Sequence, residues 1–262
     1  MPRVLQRRYL GVGAEGAGYA FGANGAGYAL AAKRRLRPPR RLTSLAAPAT
    51  PHQMPERGPL SAVRSEYSRL APDYDRRWAG YVAASVRATL DRLLPAPGER
   101  VLDVGCGTGT LLAELRAEAP DVEAAGVDLA PAMLAVARAK LGPGVLLAAA
   151  DAARLPFGDG RFDAVVTSSA FHYWADPRAG LAECARVLRP GGRLVLTDWC
   201  HDYLACKALD LVLRVTDPAH RRTFGTRECA ALLVAAGFAV QAAERYKIDR
   251  FWGLMTVRAR RR

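Results

Sequence analysis

The sequence predicts an α/β protein with a doubly wound, seven-stranded sheet covered by helices on both faces. Three observations carry that expectation. Residues 101–104 are a short apolar run of the kind that forms a buried parallel strand. After a glycine-rich stretch, Leu111-Leu112-Ala113-Glu114-Leu115 restarts with helical spacing. A second run, residues 122–128, ends in an acid 25 residues beyond Asp103, which is one strand-helix-strand period. Extended and helical runs then alternate towards the C-terminus, and 262 residues suffice for one such domain with added terminal segments.

The first 60 residues differ from the rest. Gly16-Ala17-Gly18-Tyr19-Ala20 repeats as Gly25-Ala26-Gly27-Tyr28-Ala29, and a basic, proline-broken run, Lys33-Arg34-Arg35-Leu36-Arg37-Pro38-Pro39-Arg40-Arg41, follows. Low complexity of this kind builds no core, so residues 1–60 are expected to be a disordered basic extension. Their Arg-rich, acid-poor composition also fits an organellar transit segment, and Met54 offers a later start. The folded domain is expected over residues 61–262. It opens with a helical segment over 61–94, amphipathic from Tyr81 to Leu94, until Pro95 and Pro97-Gly98 break the chain before the first strand.

Past the second strand, Pro131 marks a helix start for residues 132–140, and residues 145–149 make a third strand closed by Asp151. Residues 161–167 are the fourth strand and Asp176-Pro177 opens the helix behind it. Arg189-Pro190-Gly191-Gly192-Arg193 turns the chain into a fifth strand at residues 194–197. Helices are expected at 203–215 and 226–236, the latter ended by Gly237. Residues 238–246 and 250–257 then read as strands six and seven.

Charge and cysteine content narrow the function. The net charge of +13 suggests a nucleic-acid binder, but residues 1–60 hold ten Lys and Arg against Glu15 and Glu56, which leaves +5 for residues 61–262. Arg258, Arg260, Arg261 and Arg262 account for four of the positives in that remainder, so the body is nearly neutral and poorly suited to tracking phosphates. Five scattered cysteines, with no zinc-type spacing, suggest a reducing compartment, no disulfide framework and no metal site. No apolar run approaches the roughly 20 residues of a membrane span, so a soluble, cytoplasmic protein is expected.

The organising stretch is Val101-Leu102-Asp103-Val104-Gly105-Cys106-Gly107-Thr108-Gly109-Thr110. Alternate glycines allow positive φ and let a ligand press against bare amides at the start of the next helix. A dinucleotide fingerprint would place its third glycine at position 110, where Thr110 stands, which weighs against a nicotinamide-dependent oxidoreductase. The Asp-x-Gly-x-Gly-x-Gly pattern resembles the S-adenosylmethionine-dependent methyltransferases with a Rossmann-like fold, within them the type 11 branch that includes quinone-biosynthesis enzymes. Phe162-Asp163 on the fourth strand and Leu188-Arg189-Pro190-Gly191-Gly192 are similar to further motifs of that family, so the resemblance spans about residues 65–200. It implies that the seventh strand is antiparallel.

The resemblance also implies S-adenosyl-L-methionine as cofactor, held by Asp103, Gly105, Cys106, Gly107 and Gly109 of the first loop. Asp128 lies where the ribose edge should be, and Asp151 resembles the acid that meets the adenine amino group, with Leu129, Ala152 and Ser168 alongside. Tyr67-x6-Tyr74-Asp75 is similar to the family's lid helix, where aromatic side chains close over the cofactor; Tyr67 and Tyr74 fit equally a role in packing that helix onto the sheet. Methyl transfer to a small molecule needs alignment, exclusion of water and, for some nucleophiles, a proton acceptor. His172, after strand four, and His201, after strand five, are the candidates for that acceptor. A non-catalytic cofactor-binding module, with basic segments docking a partner, is the other reading.

Overall fold

A computed structural model describes residues 59–262, so the expected N-terminal extension lies outside the described residues except for positions 59 and 60, which belong to the first helix. The helical lead-in is longer than its amphipathic stretch suggests. Helix α1 (Pro59–Leu70) passes through a single 3-10 turn (Ala71–Asp73) into α2 (Tyr74–Leu93), which kinks at Trp78, where φ is −114° and ψ 16°. Then follow β1 (Arg100–Val104), α3 (Thr110–Glu118), β2 (Glu123–Asp128), α4 (Pro131–Leu141), β3 (Leu146–Ala149) and β4 (Phe162–Ser168). The chain continues through α5 (Pro177–Val187), β5 (Leu188–Trp199), α6 (Leu204–Thr216), α7 (Thr226–Ala235), β6 (Phe238–Lys247) and β7 (Gly253–Arg261).

The strands form one seven-stranded sheet in the order β3-β2-β1-β4-β5-β7-β6. Strands β1 to β5 pair in parallel, whereas β7 runs antiparallel to both β5 and β6. The strand order reverses between β1 and β4, the switch point at which ligands bind beyond the carboxyl ends of strands in open α/β sheets. Alternation along the strands supplies both helix layers. Leu102 and Val104 of β1 face a core with Leu181 and Cys184 of α5 and Leu233 of α7, while Val101 faces the opposite core with Leu90 of α2, Leu112 of α3 and Leu134 of α4.

Two boundaries differ from the sequence pattern. Strand β5 begins at Leu188, so the Arg-Pro-Gly-Gly turn lies inside it as an irregularity: Leu188 pairs with Phe162, and regular pairing resumes at Arg193 opposite Ala164. At the other end, β7 runs to Arg261 and takes in arginines that look like tail charges. Val257 and Ala259 keep the inward alternation, which holds the intervening residues in the ladder, and Arg260 pairs with Arg193 while its Nη1 donates to Gly191 O at 2.9 Å. The cysteines Cys106, Cys184, Cys200, Cys206 and Cys229 are buried free thiols. Among the described residues, no helix is long and apolar enough to cross a membrane.

Candidate active site

The glycine turn after β1 sits at the switch point. Gly105, Gly107 and Gly109 have φ of 83°, 53° and 78°, a left-handed conformation that other residues adopt only with strain. Their surroundings separate their roles. A Cβ on Gly107 would meet nothing within 4 Å, so its face is open to a ligand, whereas one on Gly109 would lie 2.8 Å from Leu141 Cδ1 and 3.1 Å from Ala137 Cβ. Gly109 therefore lets α3 and α4 approach. Cys106 points into the core against Gly126 of β2, where an added Cβ would stand 2.8 Å from its Sγ.

Asp128 braces the loop from the end of β2. Its carboxylate accepts hydrogen bonds from Gly107 N and Ala130 N, both at 2.8 Å. Burial raises its pKa and these backbone donors pull it back. Asp103, at the end of β1, is 2% exposed, and its Oδ1 is buried without a hydrogen-bond partner among the described residues. Burial, with the repulsion of Asp128 added, pushes its pKa up to about 8.

Two cavities open side by side at this edge of the sheet. The first lies over the glycine loop and is lined by Gly105, Gly107, Asp128, Leu129, Asp151, Ala152 and Ser168, with Tyr67 and Tyr74 reaching in from the lead-in helices. All nine are residues the sequence marks for the cofactor, whereas Asp103, Cys106 and Gly109 stand behind the wall. Met133, Ser169, Ala170, Tyr173 and Trp174 also line the cavity. The second cavity is aromatic, with Trp78, Tyr81, Trp199 and Trp252 in its walls together with Glu66, Arg77, His172 and Asp217. Tyr67, Tyr74, Ser169 and Tyr173 line both.

That shared wall is tightly built. Ser169 is a non-glycine residue at φ 57°, a strained conformation of the kind that collects at functional sites. Trp199 Nε1 donates to the Tyr81 hydroxyl at 2.7 Å, which leaves that hydroxyl to donate to Ser169 Oγ at 2.6 Å. Burial drives the pKa of Tyr67, Tyr74 and Tyr173 up, so all three phenols are neutral in physiological conditions. Asp75, next to Tyr74, ties α2 to the loop: Thr108 Oγ1 donates to Asp75 Oδ1 at 2.5 Å, and Lys140 Nζ of α4 pairs with its Oδ2 at 2.7 Å.

The two candidate histidines part company. His172 lies in the 3-10 turn after β4, 2% exposed, and Asp198 of β5 accepts from both its backbone N–H at 2.9 Å and its Nδ1 at 2.6 Å. His201 lines neither cavity, and its Nδ1 meets Thr223 Oγ1 at 3.0 Å. His220 is placed by sequence only in a loop. The fold buries it against Asp210 Oδ1 at 2.9 Å, with its ring 5.9 Å from that of His172. No spacing signals that approach, because 47 residues intervene, sheet and helix among them.

Residues 102–196 match a family model described as a methyltransferase domain. Over that stretch the chain is similar to methyltransferase domains of the type 11 branch. Curated relatives are named as methyltransferases. Demethylmenaquinone methyltransferase of Deinococcus radiodurans is 41% identical over 152 residues, 53% of this chain and 60% of that protein. The protein of the same name from Thermus thermophilus is 40% identical over 147 residues, 51% of this chain and 64% of its own. This chain thus spans less than two thirds of the length of these relatives. A solved S-adenosylmethionine-dependent methyltransferase from Mesorhizobium loti shares the fold at 23% identity and a TM-score of 0.59, with 70% of this chain and all of that one covered. The matched stretch covers the glycine loop, the acids at the ends of β1, β2 and β3, and the turn that carries His172, and none of these matches favours a nicotinamide enzyme.

Proposed function

We propose that the protein is an S-adenosyl-L-methionine-dependent methyltransferase that acts on a small-molecule acceptor in the cytoplasm. The observation that carries this reading is the pair of cavities meeting at Tyr67, Tyr74, Ser169 and Tyr173. One has the amides and acids that suit a nucleoside, and the other has the aromatic walls that suit an organic acceptor.

The residues present fit the cofactor. Gly107 leaves space where a side chain would intrude, and Asp128 and Asp151 present carboxylates in the same cavity. Asp128 would take the ribose hydroxyls while keeping its hold on Gly107, and Asp151 would meet the adenine edge. When bound, the cofactor supplies an activated methyl on a sulfonium. The protein's share is to align that methyl with the acceptor across the common wall, to exclude water beneath α1 and α2, and to keep Tyr67, Tyr74 and Tyr173 as neutral phenols that do not compete as nucleophiles.

Calorimetry tests the reading. S-adenosylhomocysteine should bind with one-to-one stoichiometry and NADH should show no heat; the reverse result would overturn it. Incubating the protein and a labelled methyl donor with a metabolite extract should then transfer label to a small molecule, whereas binding without transfer would favour the non-catalytic module.

A further inference from the structure

Within the aromatic cavity, one atom is out of keeping with its surroundings. His172 Nε2 is buried and has no hydrogen-bond partner among the described residues, although the ring is packed between Trp199, with centroids 4.5 Å apart and nearly parallel planes, and Tyr173 at 4.1 Å. The other ring nitrogen is spoken for. Asp198 Oδ2 accepts from His172 N, and its Oδ1 accepts from Trp199 N at 2.6 Å as well as facing Nδ1. With a backbone donor on each oxygen, the carboxylate presents only acceptors, so the hydrogen-bond network assigns the ring hydrogen to Nδ1. Nε2 therefore carries a lone pair in a desolvated place, which no protein donor meets.

We infer that His172 Nε2 receives the proton of an aromatic hydroxyl seated in this cavity, with Asp198 as the positioning residue, so that the methyl acceptor is the oxygen of a flat ring. The inference rests on the reading of the protein as a methyltransferase. Trp78, Tyr81, Trp199 and Trp252 offer the faces and edges that a flat ring packs against. The chemistry selects among nucleophiles. A neutral amine attacks with its own lone pair and needs no base beforehand, and an aliphatic alcohol is too weak an acid for an imidazole. An aromatic hydroxyl, with a pKa of about 10, gives up its proton to an imidazole as attack proceeds. The O–H proton moves to Nε2 while the oxygen forms its bond to the methyl carbon and the C–S bonding pair returns to sulfur, so the sulfonium charge reappears as imidazolium. Asp198 then lies directly against that new charge. Other titratable neighbours are Tyr173, His220, whose pKa is lowered chiefly by burial, and Asp217 in the cavity wall.

The test uses the full chain, with S-adenosylhomocysteine in place and two probes, 1-naphthol and 1-methoxynaphthalene, measured by calorimetry. The hydroxyl compound should bind at least about tenfold more tightly than its methyl ether, since only it supplies the donor that Nε2 lacks. His172→Asn keeps a donor for Asp198 and has no atom at the Nε2 position, so it should bind S-adenosylhomocysteine as the parent does and lose the preference between probes. Independently, long-range nitrogen–proton NMR of the parent should show His172 with hydrogen on Nδ1, and Asp198→Asn should bring the other tautomer into the population. Equal affinity for the two probes, no binding of either, a preference that survives His172→Asn, or hydrogen on Nε2 in the parent would each overturn the assignment. Failure of S-adenosylhomocysteine to bind the parent would instead overturn the methyltransferase reading, and the NMR result would still decide on His172.

Discussion

Replacing Asp103 with asparagine removes a carboxyl whose pKa stands at about 8 in the folded protein, against about 3.9 in an unfolded chain. Between those values the folded state binds the additional proton, so the parent's stability falls as the pH rises through that window. About four units correspond to a ceiling of about 6 kcal/mol. Relaxation and water entry around a newly charged carboxylate take up much of that, and about 2–3 kcal/mol should remain between about pH 5 and pH 8.5. The amide of the Asp103→Asn variant does not titrate, so the difference between variant and parent isolates the effect from every other group. Urea unfolding of the ligand-free proteins at the two pH values measures it. The variant should gain on the parent by that amount at the higher pH. Parallel stability profiles would refute the view that Asp103 is buried in want of a partner.

Asp128→Ala should weaken S-adenosylhomocysteine binding roughly ten- to a hundredfold, since charge-assisted bonds of about 1.5–3 kcal/mol disappear together with the brace on Gly107 N; Asp128→Asn should lose less, and steady-state kinetics should show the loss in KM for the methyl donor more than in kcat. Equal affinity in calorimetry would reduce Asp128 to a local turn contact. Gly107→Ala and Gly109→Ala should diverge. The first, with open space around it, should cost about 1–2 kcal/mol of backbone strain and lose ligand, while the second should lower the melting temperature of the ligand-free protein by about 5 °C or more as its Cβ meets Leu141 and Ala137. Arg193→Ala should destabilise the fold by about 1–3 kcal/mol in urea titration, because Arg193 pairs with Glu99 at 2.5 Å and also donates to Leu93 O and Leu94 O at the end of α2.

Much of this fold is legible because its signals are local. The first three parallel strands are short apolar runs, each followed by an acid or a glycine turn whose spacing repeats with the strand-helix-strand unit, so Gly107, Asp128 and Asp151 are found on a common edge. The loop motif does not reveal which way each member faces. Cys106 and Gly109 belong to the same pattern as Gly107, yet one packs on Gly126 and the other on α4, because a left-handed turn sends successive residues in different directions. The acceptor side is less legible. Trp199, Trp252 and His220 come from separate loops and strands and meet only through tertiary packing, and the backbone strain at Ser169 leaves no trace in residue type. The C-terminal arginines mislead for a related reason, since their charge hides an alternation that only pairing with β5 makes visible.

The wall common to the two cavities has a consequence for how the ligands are loaded. Tyr67 and Tyr74 belong to helices that roof both spaces, and Asp75 fastens that roof to Thr108 and Lys140 beneath the glycine loop. An occupant that orders these side chains from one side thereby settles part of the conformational entropy that an occupant on the other side would have to supply. Linkage makes the effect mutual: if the first ligand tightens the second tenfold, about 1.4 kcal/mol, the second tightens the first by the same factor. The two occupants are then participants in one equilibrium, coupled through the same four side chains that separate them.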